Sequence, residues 1–137
     1  MNKKFAALVA VVMIAGMLLA GCGPQSAQPE ACKTDAFGCA VIKSGQTIKI
    51  GMGAPMTGDN AAFGQDISQG SKIAMTDGGK FNGFTFELVA QDDGGTAEGG
   101  AAVANKLVSD PTVVAIEGHI FSGATKAAIP ILSLIHI

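Results

Sequence analysis

Three stretches of the chain have the hydrophobic pattern of β-strands. Apolar and polar residues alternate over residues 47–53 and again over residues 84–90, which is the period of a strand with one buried face. Residues 113–116 form an unbroken apolar run, which predicts a strand that is covered on both faces. Lys49 fits an inner strand poorly, so we expect the first strand to be shorter or more exposed at its start.

The segments after these strands are predicted to form α-helices, the first two from their apolar spacing and the third from a capping residue. The first begins after a loop of turn-forming residues at 54–60 and stops at residues 77–79. Its amphipathic stripe consists of Phe63, Ile67, Gly70 and Ala74. In the second, Thr96 is placed to cap a helix that ends at residues 109–111. Its predicted buried face consists of Val103, Ala104, Leu107 and Val108. Ser122 is a natural N-cap for a third helix.

The order of the predicted elements is therefore β-α-β-α-β-α. This alternation implies an α/β fold built on a parallel sheet, part of a doubly wound architecture with right-handed crossovers. Sheets of this kind bind ligands at the carboxyl ends of their strands, beside a topological switch point.

The first residues have the pattern of a bacterial lipoprotein signal peptide. A basic start at residues 1–4 precedes an uncharged stretch at residues 5–20, and Leu-Ala-Gly-Cys closes the segment at Cys22. We expect residues 1–21 to be removed and Cys22 to carry lipid, which places the remainder outside the cytoplasm. An uncleaved membrane helix is the alternative, but the apolar run is near the lower limit of the roughly 17–25 residues that span a bilayer.

Residues 22–46 are expected to form a tether, rich in proline and polar residues at its start. The remaining cysteines, Cys32 and Cys39, form an even pair there, and a disulfide bond is favoured outside the cytosol over two free thiols. Their spacing does not fit a metal site, and neither histidine lies nearby. A net charge of −2 without a basic cluster after the signal argues against a nucleic-acid partner.

Two patterns that suggest enzyme chemistry are weak. Gly51-Met52-Gly53 follows a strand, but Met56 stands where a dinucleotide fingerprint needs its third glycine, and no phosphate-binding P-loop exists. No cofactor is therefore expected. Asp92 and Asp93 are adjacent carboxylates whose side chains should point to opposite faces, so a structural role is favoured over acid and base catalysis. His119 is likewise interpreted as a histidine satisfied at a strand end.

The segment Ser122, Gly123, Ala124 and Thr125 is the strongest candidate for a binding site. It lies just past a predicted buried strand, at a helix start whose free N–H groups favour a carboxylate or phosphate. The small residues Gly123 and Ala124 allow a close approach, and the two hydroxyls add hydrogen-bonding groups. Plain capping by Ser122 explains the same residue, and the two roles are compatible.

At these residues the chain resembles the type I periplasmic binding proteins of the leucine/isoleucine/valine-binding class, the receptors of branched-chain amino acid ABC transporters. The resemblance covers about residues 47–131. The matching stretches are residues 48–51, 54–58, 62–64, 86–89, 92–93, 101–108, 118–119 and 122–125. Several blocks in order and at compatible spacing are far more specific than any one of them.

The resemblance implies two doubly wound lobes that close on a ligand without changing it chemically. It places Ser122 on the α-carboxylate of an amino acid and Phe63 beside the ligand. It implies ABC permease subunits as partners, a lipid-anchored position on the cell envelope and no enzyme activity. Residues 47–137 correspond to part of the first lobe, and the residues after about Ile131 depart from the family pattern and are interpreted as foreign.

Two other functions remain open from the sequence. A sensor or adaptor lipoprotein would use the same lobe, and an envelope enzyme would use Asp92 or His119. Among ligands, branched-chain amino acids are favoured, although the resembling family also accepts other amino acids, amides and urea.

Overall fold

The computed structural model describes residues 29–35 and 38–133. The predicted signal peptide, Cys22 and the residues after Ser133 lie outside the described residues. The chain divides into two units, residues 1–33 and residues 34–137. The short helix α1 (Glu30–Thr34) begins at the end of the first unit. Cys32 and Cys39 are joined by a disulfide bond, as the sequence predicted.

Three parallel strands form the sheet of the second unit. They are β1 (Ile48–Ala54), β2 (Phe86–Asp92) and β3 (Val113–Gly118), in the order β2-β1-β3. β1 pairs with β2 over its whole length, so that Ala54 lies opposite Asp92. Its pairing with β3 shifts register between Lys49 and Ile50. The parallel pairing of all three strands confirms the predicted α/β class.

Three helices follow the strands in the predicted order. They are α2 (Ala61–Gly78), α3 (Ala97–Val108) and α4 (Ser122–Leu132). Ile50 lines a groove with Ser71 and Met75 of α2. Gly51 points to the opposite face and lies against Leu107 of α3. The helices α2 and α3 therefore cover opposite faces of the sheet, and α4 packs beside α3.

Most of the fully buried apolar side chains belong to β1, α3 and α4. Met52, Ala54, Val103, Ala104, Leu107, Ala124 and Ala128 lie in these three elements, and Val113 lies in β3. Val103, Ala104 and Leu107 confirm the predicted face of α3, while Val108 is half-buried. Thr96 caps α3 as predicted, because its hydroxyl accepts a hydrogen bond of 3.0 Å from the N–H of Gly99.

The close packing of α3 against α4 depends on Gly100. A Cβ atom at this position would lie 2.5 Å from the carbonyl oxygen of Ala124. Both atoms of that clash are held by helix backbones, so neither can turn away as a flexible side chain would. Gly100 thus sets the distance between the two helices.

The predicted stripe of α2 is not the buried face of the helix. Phe63 is 57% exposed and Ile67 is 37% exposed, whereas Gly64 and Ser68 are buried. Gly64 lies against the carbonyl of Pro55, where a Cβ atom would overlap it. The helix is therefore turned so that small residues meet the loop before it, and the larger apolar side chains face outward.

The prediction that the third strand is covered on both faces is also wrong. Ala115 is exposed and Val114 is half-buried, because β3 lies at an edge of the sheet in the described part of the chain. The expected exposure at the start of β1 is confirmed. Residues Ile48, Lys49 and Ile50 are only half-buried, and burial begins at Gly51.

Lys49 is accommodated by an ion pair with Asp110. Its ammonium nitrogen lies 2.8 Å from Oδ2 of Asp110, and both side chains are about one-third exposed. The hydrogen bond from Lys49, with a second from the hydroxyl of Thr112, lowers the pKa of Asp110 to about 2. The hydrogen bond to Asp110 raises the pKa of Lys49.

We expect Gly100→Ala to destabilise the chain by about 1–3 kcal/mol, because the added methyl group forces α3 and α4 apart. Gly70→Ala is the control: it lies within α2, where the added Cβ would meet nothing outside its own helix backbone within 4 Å, and should stabilise by about 0.5–1 kcal/mol. Urea unfolding measures both. Equal stability of the two variants would show that the contact between Gly100 and Ala124 does not limit the packing.

The ion pair predicts a loss of stability in acid. Asp110 has a lower pKa in the folded chain than its ordinary value of 3.8, so its contribution is complete above about pH 4 and is lost as the pH falls towards 2. We expect Asp110→Asn to reduce the fall in the free energy of unfolding across this window, measured by urea titrations at a series of pH values. Asp66→Asn, at an exposed position of α2, is the control. The same fall in Asp110→Asn as in the parent would refute the assignment.

Candidate ligand-binding edge of the sheet

The carboxyl ends of the three strands meet at one edge of the sheet. Because the strands are parallel, the connections at residues 55–60, 93–96 and 119–121 all leave from this edge. Open α/β sheets place their ligands here. The two consecutive aspartates at the end of β2 organise these connections.

Asp92 ties β2 to the connection that follows β1. Its carboxylate accepts hydrogen bonds from the hydroxyl of Thr57 at 2.5 Å, the N–H of Met56 at 2.8 Å and the N–H of Gly94 at 2.9 Å. These bonds, led by the one from Thr57, lower the pKa of Asp92. The charged carboxylate is thus held in a fixed position by the loop that leads to α2.

Asp93 ties β2 to the connection that follows β3. Its Oδ2 atom lies 2.5 Å from Nδ1 of His119, and Oδ1 accepts a 2.8 Å hydrogen bond from the N–H of Gly95. The side chains of Asp93 and His119 are fully buried. The two adjacent carboxylates have separate structural partners, in agreement with the sequence interpretation.

Ser122 is the first residue of α4 and not its N-cap. The cap position is occupied by Phe121, in an extended conformation and without a side-chain capping bond. The hydroxyl of Thr125 lies 2.9 Å from the carbonyl of His119 and 3.1 Å from that of Phe121. Thr125 therefore fixes the turn before the helix from inside, and this contact replaces the predicted cap.

The helix start consequently presents polar groups without protein partners in the described part of the chain. The first intrahelical bond is donated by the N–H of Thr125 to the carbonyl of Phe121, so the N–H groups of Ser122, Gly123 and Ala124 lie ahead of the helical ladder. Ser122 and Gly123 are exposed, and the hydroxyl of Ser122 has no hydrogen-bond partner among the described residues. These groups, with the partial positive charge of the helix terminus, suit an anionic ligand.

The four predicted site residues therefore divide into two groups. Ser122 and Gly123 face outward, with nothing within 4 Å of a Cβ atom placed on Gly123. Ala124 is fully buried, with its backbone against Gly100, and Thr125 directs its hydroxyl to backbone carbonyls. The last two residues can contribute to a site only through the backbone N–H of Ala124 and through support of the turn.

An aromatic pair lies next to this helix start. The rings of Phe63 and Phe121 meet edge to face, with centroids 6.5 Å apart. The ring of Phe121 covers Gly95, where a Cβ atom would lie 2.7 Å from it. Sequence reasoning identified Phe63 but missed Phe121, although its position directly before Ser122 was a usable signal.

Other types of site find no support in the residues described. No group of three or more His, Cys, Asp or Glu residues within residues 29–35 and 38–133 is arranged to hold a metal ion. Over the same ranges, none of the helices combines the length and the apolar character that a membrane crossing requires.

The geometry is that of the ligand-binding edge of an open α/β sheet. The sequence profile of the family described as Periplasmic binding protein matches residues 47–136. Since this match covers more than half of the chain, the chain belongs to that family. The family is one of solute-binding proteins rather than enzymes, and membership implies a location outside the cytoplasm.

Curated and solved relatives agree with this assignment. Leu/Ile/Val-binding protein homolog 2 of Brucella abortus (strain 2308) is 39% identical over 94 residues, which cover 64% of this chain and 25% of the relative. The substrate binding protein of the branched-chain amino acid transporter from Streptococcus pneumoniae, solved with isoleucine, is 32% identical with a TM-score of 0.57, covering 63% of this chain and 26% of that one.

A third relative binds a different carboxylate. An ABC transporter solute binding protein from R. palustris, solved with benzoate, is 25% identical with a TM-score of 0.56, covering 63% of this chain and 24% of that one. The chain thus spans about a quarter of the length of all three proteins.

Proposed function

We propose that this chain is the N-terminal part of an extracytoplasmic receptor that delivers an amino acid, with a branched side chain, to an ABC transporter. The open start of α4 is the observation that carries the proposal. The N–H groups of Ser122, Gly123 and Ala124 and the hydroxyl of Ser122 would receive the α-carboxylate of the ligand. The name of the Brucella relative and the isoleucine in the Streptococcus structure support an aliphatic amino acid.

The aromatic pair supports an apolar neighbour for that carboxylate. Phe63 is more than half exposed and its ring contacts Phe121, which directly precedes Ser122. A ligand with its carboxylate on Ser122 and its side chain against these rings would remove apolar surface from water. The benzoate complex of the R. palustris relative makes an aromatic carboxylate the second candidate for the same edge.

The remaining parts of the proposal concern the complete receptor, by which we mean this lobe joined to a second one. Closure of the second lobe over the carboxyl edge would cover the ligand and present a surface to the permease. No bond of the ligand is made or broken. The disulfide bond between Cys32 and Cys39 supports a tether that works in an oxidising compartment. A lipid on Cys22 would hold that tether to the membrane surface.

We expect Ser122→Ala in the complete receptor to weaken leucine binding by about tenfold or more, because a hydrogen bond to a charged group contributes about 1.5–3 kcal/mol. Calorimetry with leucine and with leucinamide, which lacks the carboxylate, measures the effect. The variant should lose affinity for leucine and keep its weak affinity for leucinamide.

Ser44→Ala, at an exposed position in the segment before β1, is the control and should bind leucine as the parent does. Unchanged leucine affinity in Ser122→Ala would remove Ser122 from the site. Tight binding of benzoate without binding of leucine would assign the edge to aromatic carboxylates instead.

The lipid anchor gives a separate prediction. When the chain is expressed in a bacterial host with labelled palmitate, the parent and Ser26→Ala should carry the label and sediment with membranes. Cys22→Ala should carry no label, because its side chain has no thiol to accept lipid. Label on Cys22→Ala, or an unlabelled parent, would refute lipidation at Cys22.

A further inference from the structure

We propose that the buried pair of Asp93 and His119 is the positioning element of the carboxylate site, and that it sets the place of Ser122 through the turn that joins them. This inference rests on the proposed function, because it concerns how the same site is held. His119 directly follows β3 and lies three residues before Ser122. Neither side chain of the pair reaches solvent, so the pair acts on the ligand only through Ser122.

The imidazole ring of His119 is fixed from two directions. Asp93 holds its Nδ1 atom, and β1 lies against the ring at Gly53, where a Cβ atom would overlap Cε1. Asp93 is itself fixed, because its N–H donates a 3.0 Å hydrogen bond to the carbonyl of Ala54. The ring therefore joins the ends of all three strands at one point.

The backbone of His119 is hydrogen-bonded directly to the first turn of α4. Its carbonyl lies 2.9 Å from the hydroxyl of Thr125, and the carbonyl of Phe121 accepts from the N–H of Thr125. A shift of His119 would therefore move the turn and change the direction in which the N–H groups and the hydroxyl of Ser122 point. Carboxylate binding depends on this direction, since these hydrogen bonds weaken steeply when misaligned.

The hydrogen bonds also determine where the ring carries its proton. Nε2 of His119 is buried and has no partner among the described residues. A proton there would lack an acceptor, whereas a proton on Nδ1 is donated to Asp93. The arrangement therefore suits the neutral ring with its proton on Nδ1.

Asp93→Asn should move the ring proton of His119 from Nδ1 to Nε2, with little change in the volume of the substituted side chain. The N–H of Gly95 needs an acceptor and would take the amide oxygen of Asn, as it now takes Oδ1 of Asp93. The amide NH₂ would then face Nδ1 of His119, which must accept, and the proton would move to the partnerless Nε2. The variant thus keeps the two side chains in contact without a cavity but leaves the proton on buried Nε2 without an acceptor, which favours a displaced ring and a shifted turn.

The experiment combines ¹⁵N NMR of the histidine side chain with calorimetry on the complete receptor. In the parent, Nδ1 of His119 should show the protonated type of shift and Nε2 the unprotonated type. In Asp93→Asn the two should exchange, and the preference for leucine over leucinamide should fall by roughly tenfold, the effect of misaligning one charge-assisted hydrogen bond. A purely structural role would weaken both ligands equally and leave this preference unchanged.

Variants of His119 keep the test decisive if Asp93→Asn does not fold. The amide nitrogen of His119→Asn can donate to Asp93 from about the place of Nδ1, so this variant should retain more of the preference for leucine than His119→Ala does. Asp110→Asn, which removes a carboxylate remote from the edge, is the control and should keep the full preference.

Each outcome separates the two proposals. A folded Asp93→Asn variant with an exchanged proton and the parent's preference for leucine would overturn the positioning role while leaving the receptor function intact. Equal losses for His119→Asn and His119→Ala would also count against it. A parent that binds neither leucine nor another carboxylate would overturn the proposed function itself.

Discussion

Small residues along the central strand are the constraint on which the rest of the structure depends. A Cβ atom on Gly51 would lie 2.7 Å from Ile116 and 3.0 Å from Leu107, and one on Gly53 would overlap His119. Because these positions carry no side chain, α3 can lie directly on β1 at Gly51, and the imidazole ring can lie directly against β1 at Gly53. A buried polar ring then requires a partner, and the end of β2 supplies Asp93. The glycines that superficially suggested nucleotide binding thus serve packing.

The sequence predicted the elements well because their signals are local. The pattern of apolar residues predicted the three strands and the first two long helices, and a capping residue predicted the third helix. The cap at Thr96 and the disulfide bond likewise follow from residues close together in the chain. Burial was harder to predict because it depends on neighbours in space. The outward rotation of α2 follows from the contact between Gly64 and Pro55, and the exposure of Ala115 follows from the place of β3 in the sheet. Neither the contact of Gly64 with Pro55 nor the place of β3 in the sheet leaves a periodic pattern of apolar residues in the sequence.

In the candidate site too, local features could be predicted from the sequence, whereas contacts between distant residues could not. Helix-terminus reasoning located Ser122 and Gly123 correctly at an exposed helix start, but it placed the cap one residue too late because it did not anticipate the inward hydroxyl of Thr125. The pairing of Asp93 with His119 joins residues 26 positions apart. Its two members were each interpreted as structural, yet nothing in the local sequence indicates that they meet.

The two aspartates at the end of β2 limit where residues can be inserted into the chain. Asp92 holds the loop that leads to Phe63, and Asp93 holds the turn that leads to Ser122. Successive strand residues face opposite ways, so one residue inserted before this pair would turn each carboxylate to the opposite face and release both loops at once. Insertions after Gly95 would spare both attachments. The side chains at Phe63 and Phe121 can therefore vary without loss of these two attachments, whereas a change in the number of residues in β2 would disrupt both.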